Sequence, residues 1–478
     1  MSSDIGIYGL TSQGISFALN IASKGYNVTV GNKSSDKIKE CIELAEKEDL
    51  EEKVRGIKDP EDFVKNLKTP RKVLFLARPG SNIDRNMQKV LPFLESGDVI
   101  IDGSCDNVDE CLRRSAEAQE KGVELLSLAI LGTDSDARQG PALLCSGSKS
   151  LYDAIEPLLN KVACEVDHRP CLAHVGTAAA AVAAKHAVAA LETAELQLLA
   201  EMVDVMKQGK LNLTEIASIL GDWDKQDGSF LLQSLTAVLK KKDCDVEGCK
   251  PSDNSLVDRI SDFPPNPKNT ADLTALAADI QASMSIPAGA WEARNASSER
   301  EVRVKLSRQI SAPKFDWSKV DLQEISRDLH DAHDCARDIL CAQVFGALVA
   351  VAKTREWEFH LPELAGVLRG GCEIRCDRME KLSAMLEKSS ELPSLLLEPA
   401  FSEEVEKKQK AWRRVLSLGV AAGVAMPVSL AAVAYLDSYR SGRLPGSVVQ
   451  SMRDALEDEG FERLDKERGE LFHCKWSK

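Results

Sequence analysis

Short apolar runs alternate with longer stretches of mixed polarity over the first third of the chain. Ile5–Tyr8, Asn27–Val30, Lys72–Leu76, Val99–Asp102, Val123–Leu126 and Leu143–Cys145 read as strands bounded by turn residues. Between them, Lys37–Lys47 and Val108–Lys121 carry the periodicity of amphipathic helices. Such alternation predicts a parallel, doubly wound sheet with helices on both faces, an α/β domain over residues 1–176. Beyond Gly176 strand signals fade and Ala-rich stretches such as Ala178–Ala190 take over, so residues 177–437 are expected to form an all-helical domain. The segment Lys240–Lys268, with Cys244, Cys249 and several prolines, reads as an irregular loop. Residues 438–478 are too polar for a core and are expected to form an extended C-terminal tail. One stretch, Val415–Leu436, runs 22 residues without a charge, long enough to span a membrane. Gly419, Gly423 and Pro427 interrupt it and alanine dominates it, so it reads as buried helix and no membrane partner is expected.

Charge narrows the partners. The 478 residues hold 61 Lys+Arg against 75 Asp+Glu, a net charge of −14. That balance disfavours a nucleic-acid partner, because phosphate backbones reward positive charge. It leaves open an anionic small substrate held by local arginines and lysines. The 13 cysteines form no C-x-x-C pair and have irregular spacing, which fits reduced core thiols better than a disulfide framework. Cys372 and Cys376 share a possible helix face, but no histidine pair lies near them in sequence, and no metal site is assigned. Residues 1–20 show no basic stretch followed by an apolar run, and a cytoplasmic protein is expected.

Candidate chemistry begins where the first strand ends. Ile5–Tyr8 is followed by Gly9, Leu10, Thr11, Ser12, Gln13 and Gly14. Gly9 suits a tight turn and Gly14 a close helix–sheet contact, while the helix start between them can hold a pyrophosphate on its backbone N–H groups. Thr11 stands where the usual Rossmann fingerprint has its second glycine, so an ordinary β–α turn is the competing reading. The second strand leads into Asn32, Lys33 and Ser34 rather than an acidic residue. A cation and two hydrogen-bonding side chains suit a ribose 2′-phosphate, pointing to NADP over NAD, although Lys33 also reads as a solvated surface lysine.

Further stretches, in order, resemble the decarboxylating 6-phosphogluconate dehydrogenase family. Ala77-Arg78-Pro79-Gly80 resembles its third-strand loop and Ile101-Asp102-Gly103 the end of its fourth strand. Ala137-Arg138-Gln139-Gly140-Pro141 is similar to a family loop, and Arg369-Gly370-Gly371-Cys372 with Ile374-Arg375 to its Arg-Gly-Gly-Cys run. Trp412-Arg413-Arg414, Met426-Pro427 and Tyr435 to Arg440 resemble its late helices, and Phe472-His473 with Trp476 its tail. The resemblance spans residues 4–476. It implies an NADP-binding site at Gly9, Thr11, Gly14, Asn32, Lys33, Ser34, Ala77 and Arg78. It also implies oxidation of a sugar-acid 3-hydroxyl followed by decarboxylation, the reaction that turns 6-phosphogluconate into ribulose 5-phosphate in the pentose phosphate pathway.

The general base and general acid of that reaction map to Lys185 and Glu192. Positions i and i+7 share one helix face about 10 Å apart along the axis. On the residues alone, two surface charges on an Ala-rich helix is the blander reading. Lys268, Thr270, Arg294 and Arg453 map to the family's contacts with the substrate phosphate. Between base and acid, however, the family's histidine and asparagine are Val188 and Ala189, and its tyrosine after the acid is Thr193. Leu131-Gly132-Thr133 lacks the family's serine, Ser104-Cys105 replaces a Gly-Asn pair, and Glu459 stands for a tail histidine. Three expectations follow. One is a family dehydrogenase with weakened or altered specificity for a sugar-phosphate acid. The alternative is a non-catalytic NADP-binding subunit paired with an active paralogue, and the third a cofactor-sensing module. A homodimer, or a heterodimer with a paralogue, is expected from the family's use of its late helices and tail as the dimer contact.

Overall fold

Four buried residues, Ile5–Tyr8, form the central strand β1, with Ile5 and Ile7 almost fully removed from water. Burying such a side chain contributes about 1.5–3 kcal/mol, so a run buried on both faces belongs inside a sheet rather than at its edge. The computed structural model describes residues 2–77, 80–244, 246–264, 272–388 and 393–476. Around β1 lie β2 (Val28–Gly31), β3 (Val54–Gly56), β4 (Lys72–Phe75), β5 (Val99–Asp102), β6 (Glu124–Ile130), β7 (Leu143–Ser146) and, after a small hairpin β8–β9 (Glu165–Val166 and Arg169–Pro170), β10 (Leu172–Gly176). The sheet order is β10-β7-β6-β5-β4-β1-β2-β3. β1 pairs with β2 on one side and β4 on the other, both parallel, so the chain reverses its winding at β1. In open α/β sheets a ligand crevice lies outside the carboxyl ends of the strands at such a switch point.

The sheet is mixed rather than wholly parallel. β6 pairs with β7 antiparallel, and β10 follows β7 in parallel, which reverses the far edge. Two strands of the sheet escape the apolar pattern. β3 has exposed Arg55 and Gly56, and β10 alternates buried and half-buried positions that resemble a loop in isolation. The helices that place the site are α1 (Ser12–Ser23), α2 (Ser35–Lys47), α3 (Val108–Gln119), α4 (Ala180–Gln208), α5 (Ser285–Ser298), α6 (Leu322–Arg355), α7 (Pro399–Ala422), α8 (Pro427–Tyr439) and α9 (Gly446–Glu457).

Gly176 joins the sheet to the helices. A side chain there would collide with the backbone carbonyl of Glu358, whose oxygen accepts from the Thr177 N–H at 3.2 Å. Four residues later α4 begins, and Ala180, Ala181, Ala183, Ala184 and Ala187 are all buried. Side chains this short let the helix backbone approach β6 and β7 closely. The uncharged stretch Val415–Leu436 is not one helix. Gly423, in the left-handed region at φ 75°, ends α7, and Pro427 opens α8. Among the described residues one helix, α6, is long and apolar enough to cross a membrane, and 78% of its apolar window is buried inside the fold. The tail carries a helix, α9, where an extended chain was expected. Its apolar residues lie on one side, a pattern too short to outweigh the polar composition around it.

Candidate active site

The turn after β1 is built by three of the residues singled out above. Gly9 adopts φ 96°, and a Cβ at this position would sit 3.0 Å from the Ala77 backbone nitrogen and 3.1 Å from its Cβ. Only glycine lets the β1 and β4 turns come this close. Thr11 caps α1, its Oγ1 accepting from the Gly14 N–H at 3.0 Å. A Cβ on Gly14 would meet the Gly9 carbonyl oxygen at 3.2 Å, so both glycines answer to packing. The first turn of a helix leaves N–H groups without intrahelical acceptors. With Gly9 keeping the backbone bare of a side chain, this cradle fits a dinucleotide pyrophosphate.

Asn32 closes the same crevice, its Oδ1 accepting from the Leu10 N–H at 3.3 Å. Lys33 and Ser34 follow, both exposed. Ser34 is the N-cap position of α2 yet makes no side-chain capping bond, which leaves its hydroxyl able to turn to a ligand. Arg78 lies outside the described residues, as do Lys268 and Thr270.

A cavity of about 630 Å³ opens beside the crevice, lined by Lys185, Val188, Ala189, Glu192 and Thr193 of α4 together with Arg294 of α5. Gln13 of α1, Gly132 beyond β6, Asp262 and Glu373 also line it. The fold thus brings Lys185, Glu192 and Arg294 into one space next to the dinucleotide cradle. Arg453 is not among the lining residues. It sits on α9 in the tail, with an exposed side chain 3.5 Å from Glu459.

Sequence reasoning missed Gln13, Glu373 and the place of Cys105. Gln13 was visible as the residue before Gly14, and Glu373 as the one after the Arg-Gly-Gly-Cys run, but only the tertiary fold turns them to the same cavity. Cys105 is buried at φ 46°, with its Sγ 3.5 Å from the Leu128 carbonyl oxygen. Burial pushes its thiol up, and the nearby Lys185 charge works in the opposite direction. The amine and this thiol are therefore electrostatic neighbours.

The loop that presents Cys105 is held by a buried arginine. Arg114 of α3 is 1% exposed, and its guanidinium reaches Asp84 and Asp106 at 2.7 Å each and Asp102 at 3.5 Å. Burial alone would weaken its charge, but these carboxylates outweigh it and hold the guanidinium charged. Ser104 is also committed locally, its hydroxyl donating to Asp102. Two further hydroxyls are occupied. Thr193 Oγ1 donates to the Ala189 carbonyl oxygen at 2.8 Å, and Thr133 Oγ1 to Asp136 at 2.7 Å in a helix capping box. The α4 face between Lys185 and Glu192 offers Val188 and Ala189, which have no hydrogen-bonding side chain.

A glycine-turn crevice at the switch point, with a lysine–glutamate helix beside it, defines a nicotinamide dinucleotide-binding dehydrogenase built from an α/β and an all-α domain. Residues 4–176 match the NAD binding domain of 6-phosphogluconate dehydrogenase, and residues 185–476 match its C-terminal domain. The chain belongs to the 6-phosphogluconate dehydrogenase family. It is 33% identical over 486 residues to the decarboxylating 6-phosphogluconate dehydrogenase 2 of Arabidopsis thaliana, covering 99% of this chain and 97% of that one. It is also 33% identical to the NADP(+)-dependent decarboxylating enzyme of Bacillus subtilis, with 99% of each chain covered. The solved Plasmodium falciparum 6-phosphogluconate dehydrogenase, described in its apo form and with its cofactor NADP+ and its substrate 6-phosphogluconate, superposes with a TM-score of 0.93. That match is at 29% identity and covers 99% of this chain and 100% of that one.

Proposed function

We propose that the protein is an NADP-dependent decarboxylating dehydrogenase acting on 6-phosphogluconate or a closely related, less hydroxylated sugar-phosphate acid. The observation that carries this reading is the meeting of Lys185, Glu192 and Arg294 in one cavity beside the Gly9–Gly14 cradle. NADP supplies the hydride acceptor when bound. The Asn32, Lys33 and Ser34 side chains would hold its 2′-phosphate, and Thr11, with the first turn of α1, its pyrophosphate. Lys185 accepts the proton of the substrate hydroxyl as that carbon is oxidised, and Glu192, about two helical turns on, returns a proton to carbon after carbon dioxide leaves. Arg294 holds the anionic end of the substrate, a task suited to its planar guanidinium.

Calorimetric titration with NADPH and with 6-phosphogluconate, followed by absorbance of NADPH formed on turnover, tests the reading. Lys185→Met is expected to bind NADPH within about twofold of wild type while losing on the order of 10²-fold or more in turnover. If wild type produces no NADPH from 6-phosphogluconate or a panel of 3-hydroxy acids, the catalytic reading fails.

A second reading is favoured by Val188, Ala189 and the committed Thr193 hydroxyl: a non-catalytic NADP-binding subunit of an active paralogue. NADPH binding without sugar-acid binding, together with co-purification of a catalytic homologue, would favour it. We further propose a two-subunit assembly, in which the partner's tail supplies the arginine that α9 carries away from its own cavity. A cytosolic setting is supported by the cysteines, which form no disulfide in this structure, and imaging of a tagged chain checks it.

A further inference from the structure

Two cysteines outside the catalytic cavity face each other across the β8–β9 hairpin. Val166 pairs with Arg169 and Glu165 with Pro170, around a two-residue turn in which Asp167 and His168 both adopt positive φ, 50° and 59°. The next rung of this ladder is Cys164 opposite Cys171, and the Cys171 N–H donates to the Cys164 carbonyl oxygen at 2.7 Å. Directly opposed residues of an antiparallel pair project from the same face, with Cβ atoms roughly 4.5–5.5 Å apart, close to the roughly 3.5–4.5 Å of a disulfide. The sulfurs converge on one point: a Cβ at Gly370 would lie 3.1 Å from the Sγ of Cys164 and 3.2 Å from that of Cys171. Cys171 is fully buried, whereas Cys164 is partly open to a second cavity of about 950 Å³ lined also by Lys161, Arg369 and Arg375.

We propose that Cys164 and Cys171 form a redox modification site, in which a peroxide entering this second cavity oxidises Cys164 and Cys171 closes an intramolecular disulfide. In the first step the Cys164 thiolate attacks one peroxide oxygen, the O–O bond breaks, and hydroxide leaves behind a sulfenic acid. In the second step the Cys171 sulfur attacks that sulfenic sulfur. The S–O bond breaks, and the departing oxygen leaves as water with the Cys171 proton. The dithiol loses two electrons overall, and the peroxide gains them. A thiol is reactive in proportion to its thiolate fraction and its access. The hydrogen bond from Cys171 holds the Cys164 thiol down to about 7, against the effect of burial and with help from Arg375. The same contact and burial push the Cys171 thiol up, so it keeps the proton that it donates.

The pair sits against the loop that closes the active site. Gly370 covers both sulfurs, while the carbonyl of its neighbour Gly371 accepts from the Ala142 N–H at 2.9 Å and packs on Gly132 of the catalytic cavity wall. Oxidation therefore acts one loop away from Lys185 and Glu192.

Limiting hydrogen peroxide added to the full-length protein at pH 7, followed by alkylation, trypsin and mass spectrometry, tests the site. Both cysteines fall in the peptide 162–185, because trypsin does not cut the Arg169–Pro170 bond. Oxidation should appear as that peptide lighter by two hydrogens and lacking both alkyl groups, and dithiothreitol should reverse it. Cys171→Ser should instead hold a sulfenic acid at Cys164 that dimedone captures. Before oxidation, iodoacetamide should label Cys164 about tenfold faster than exposed Cys249. Labelling of Cys164 no faster than Cys249, or peroxide treatment that leaves peptide 162–185 doubly alkylated, would overturn the proposal.

Discussion

Val188 and Ala189 set what the cavity face of α4 offers to the proposed polyhydroxylated substrate. Both line the cavity between Lys185 and Glu192, and neither side chain can donate or accept a hydrogen bond. A neutral hydrogen bond contributes about 0.5–1.5 kcal/mol, so two absent partners, at about 1–3 kcal/mol together, would slow turnover of the proposed sugar acid by roughly 5- to 150-fold if they act only in the transition state. Val188→His with Ala189→Asn is expected to raise kcat/KM for 6-phosphogluconate by about tenfold or more, measured by NADPH absorbance. A double variant that folds and binds NADPH but gains nothing would show that these positions do not face the substrate hydroxyls. At this scale Lys185 and Glu192 were reached from sequence only through the family resemblance, since seven positions along one helix also suit two surface charges. Glu373 was not, since its place opposite α4 depends on a loop folding back over more than 180 residues of chain.

At the scale of single elements, the β1–α1 turn and helix α6 carry opposite kinds of constraint. Gly9 is required both by its positive φ and by Ala77 beside it, whereas Gly97, at φ 89°, has open space where a Cβ would sit. Gly97→Ala is expected to cost about 1–2 kcal/mol from left-handed backbone alone. Gly9→Ala should cost more in thermal unfolding and also weaken NADPH binding in calorimetry, while Gly97→Ala leaves that binding unchanged. Equal effects of both variants on NADPH would remove the cradle from the cofactor site.

Helix α6 instead buries charge. Asp334 is 3% exposed, bonded to Arg378 at 2.7 Å and to Lys408, while Arg378 also grips Asp338 at 2.7 Å. Neighbouring His333 bonds Glu195 of α4 at 3.0 Å, which ties the two long helices together. Burial would raise the Asp334 carboxyl, but Arg378 and Lys408 outweigh it and hold it well below the usual carboxylate range. A carboxyl lowered in the folded state stabilises the fold above its unfolded pKa, near 3.9, and that contribution is lost as pH falls through the folded value. Asp334→Asn should therefore lose about 3–5 kcal/mol at pH 7 and show a shallower further loss below about pH 4 than wild type, read by denaturant unfolding across pH. An equally steep acid limb in the variant would place the acid sensitivity elsewhere. None of this network was visible in sequence. Its residues are charged, and their periodicity on α6 is that of a solvated face until helices from both sides cover it.

For the whole molecule, the proposed two-subunit assembly turns on the tail. Val448, Val449, Met452 and Leu456 of α9 are 54–77% exposed and Leu464 is 91% exposed, apolar side chains that a partner subunit would cover. Arg453 shares that helix. Val449→Glu with Leu456→Glu is expected to halve the mass measured by light scattering without loss of helical signal in circular dichroism. An unchanged mass would rule the tail out as the contact between subunits.

The strand–helix alternation, the glycine turn and the lysine–glutamate spacing were determined by the sequence itself, because each is a relation between residues a few positions apart. Hydrophobic burial and backbone sterics act on such relations directly. The reversal of β7 and β10, the convergence of Gln13, Arg294 and Glu373 on one cavity, and the seating of Gly370 over the Cys164–Cys171 hairpin were decided by tertiary structure. These depend on contacts between distant segments, whose loop-closure cost is recovered only when the sheet and the helices pack together.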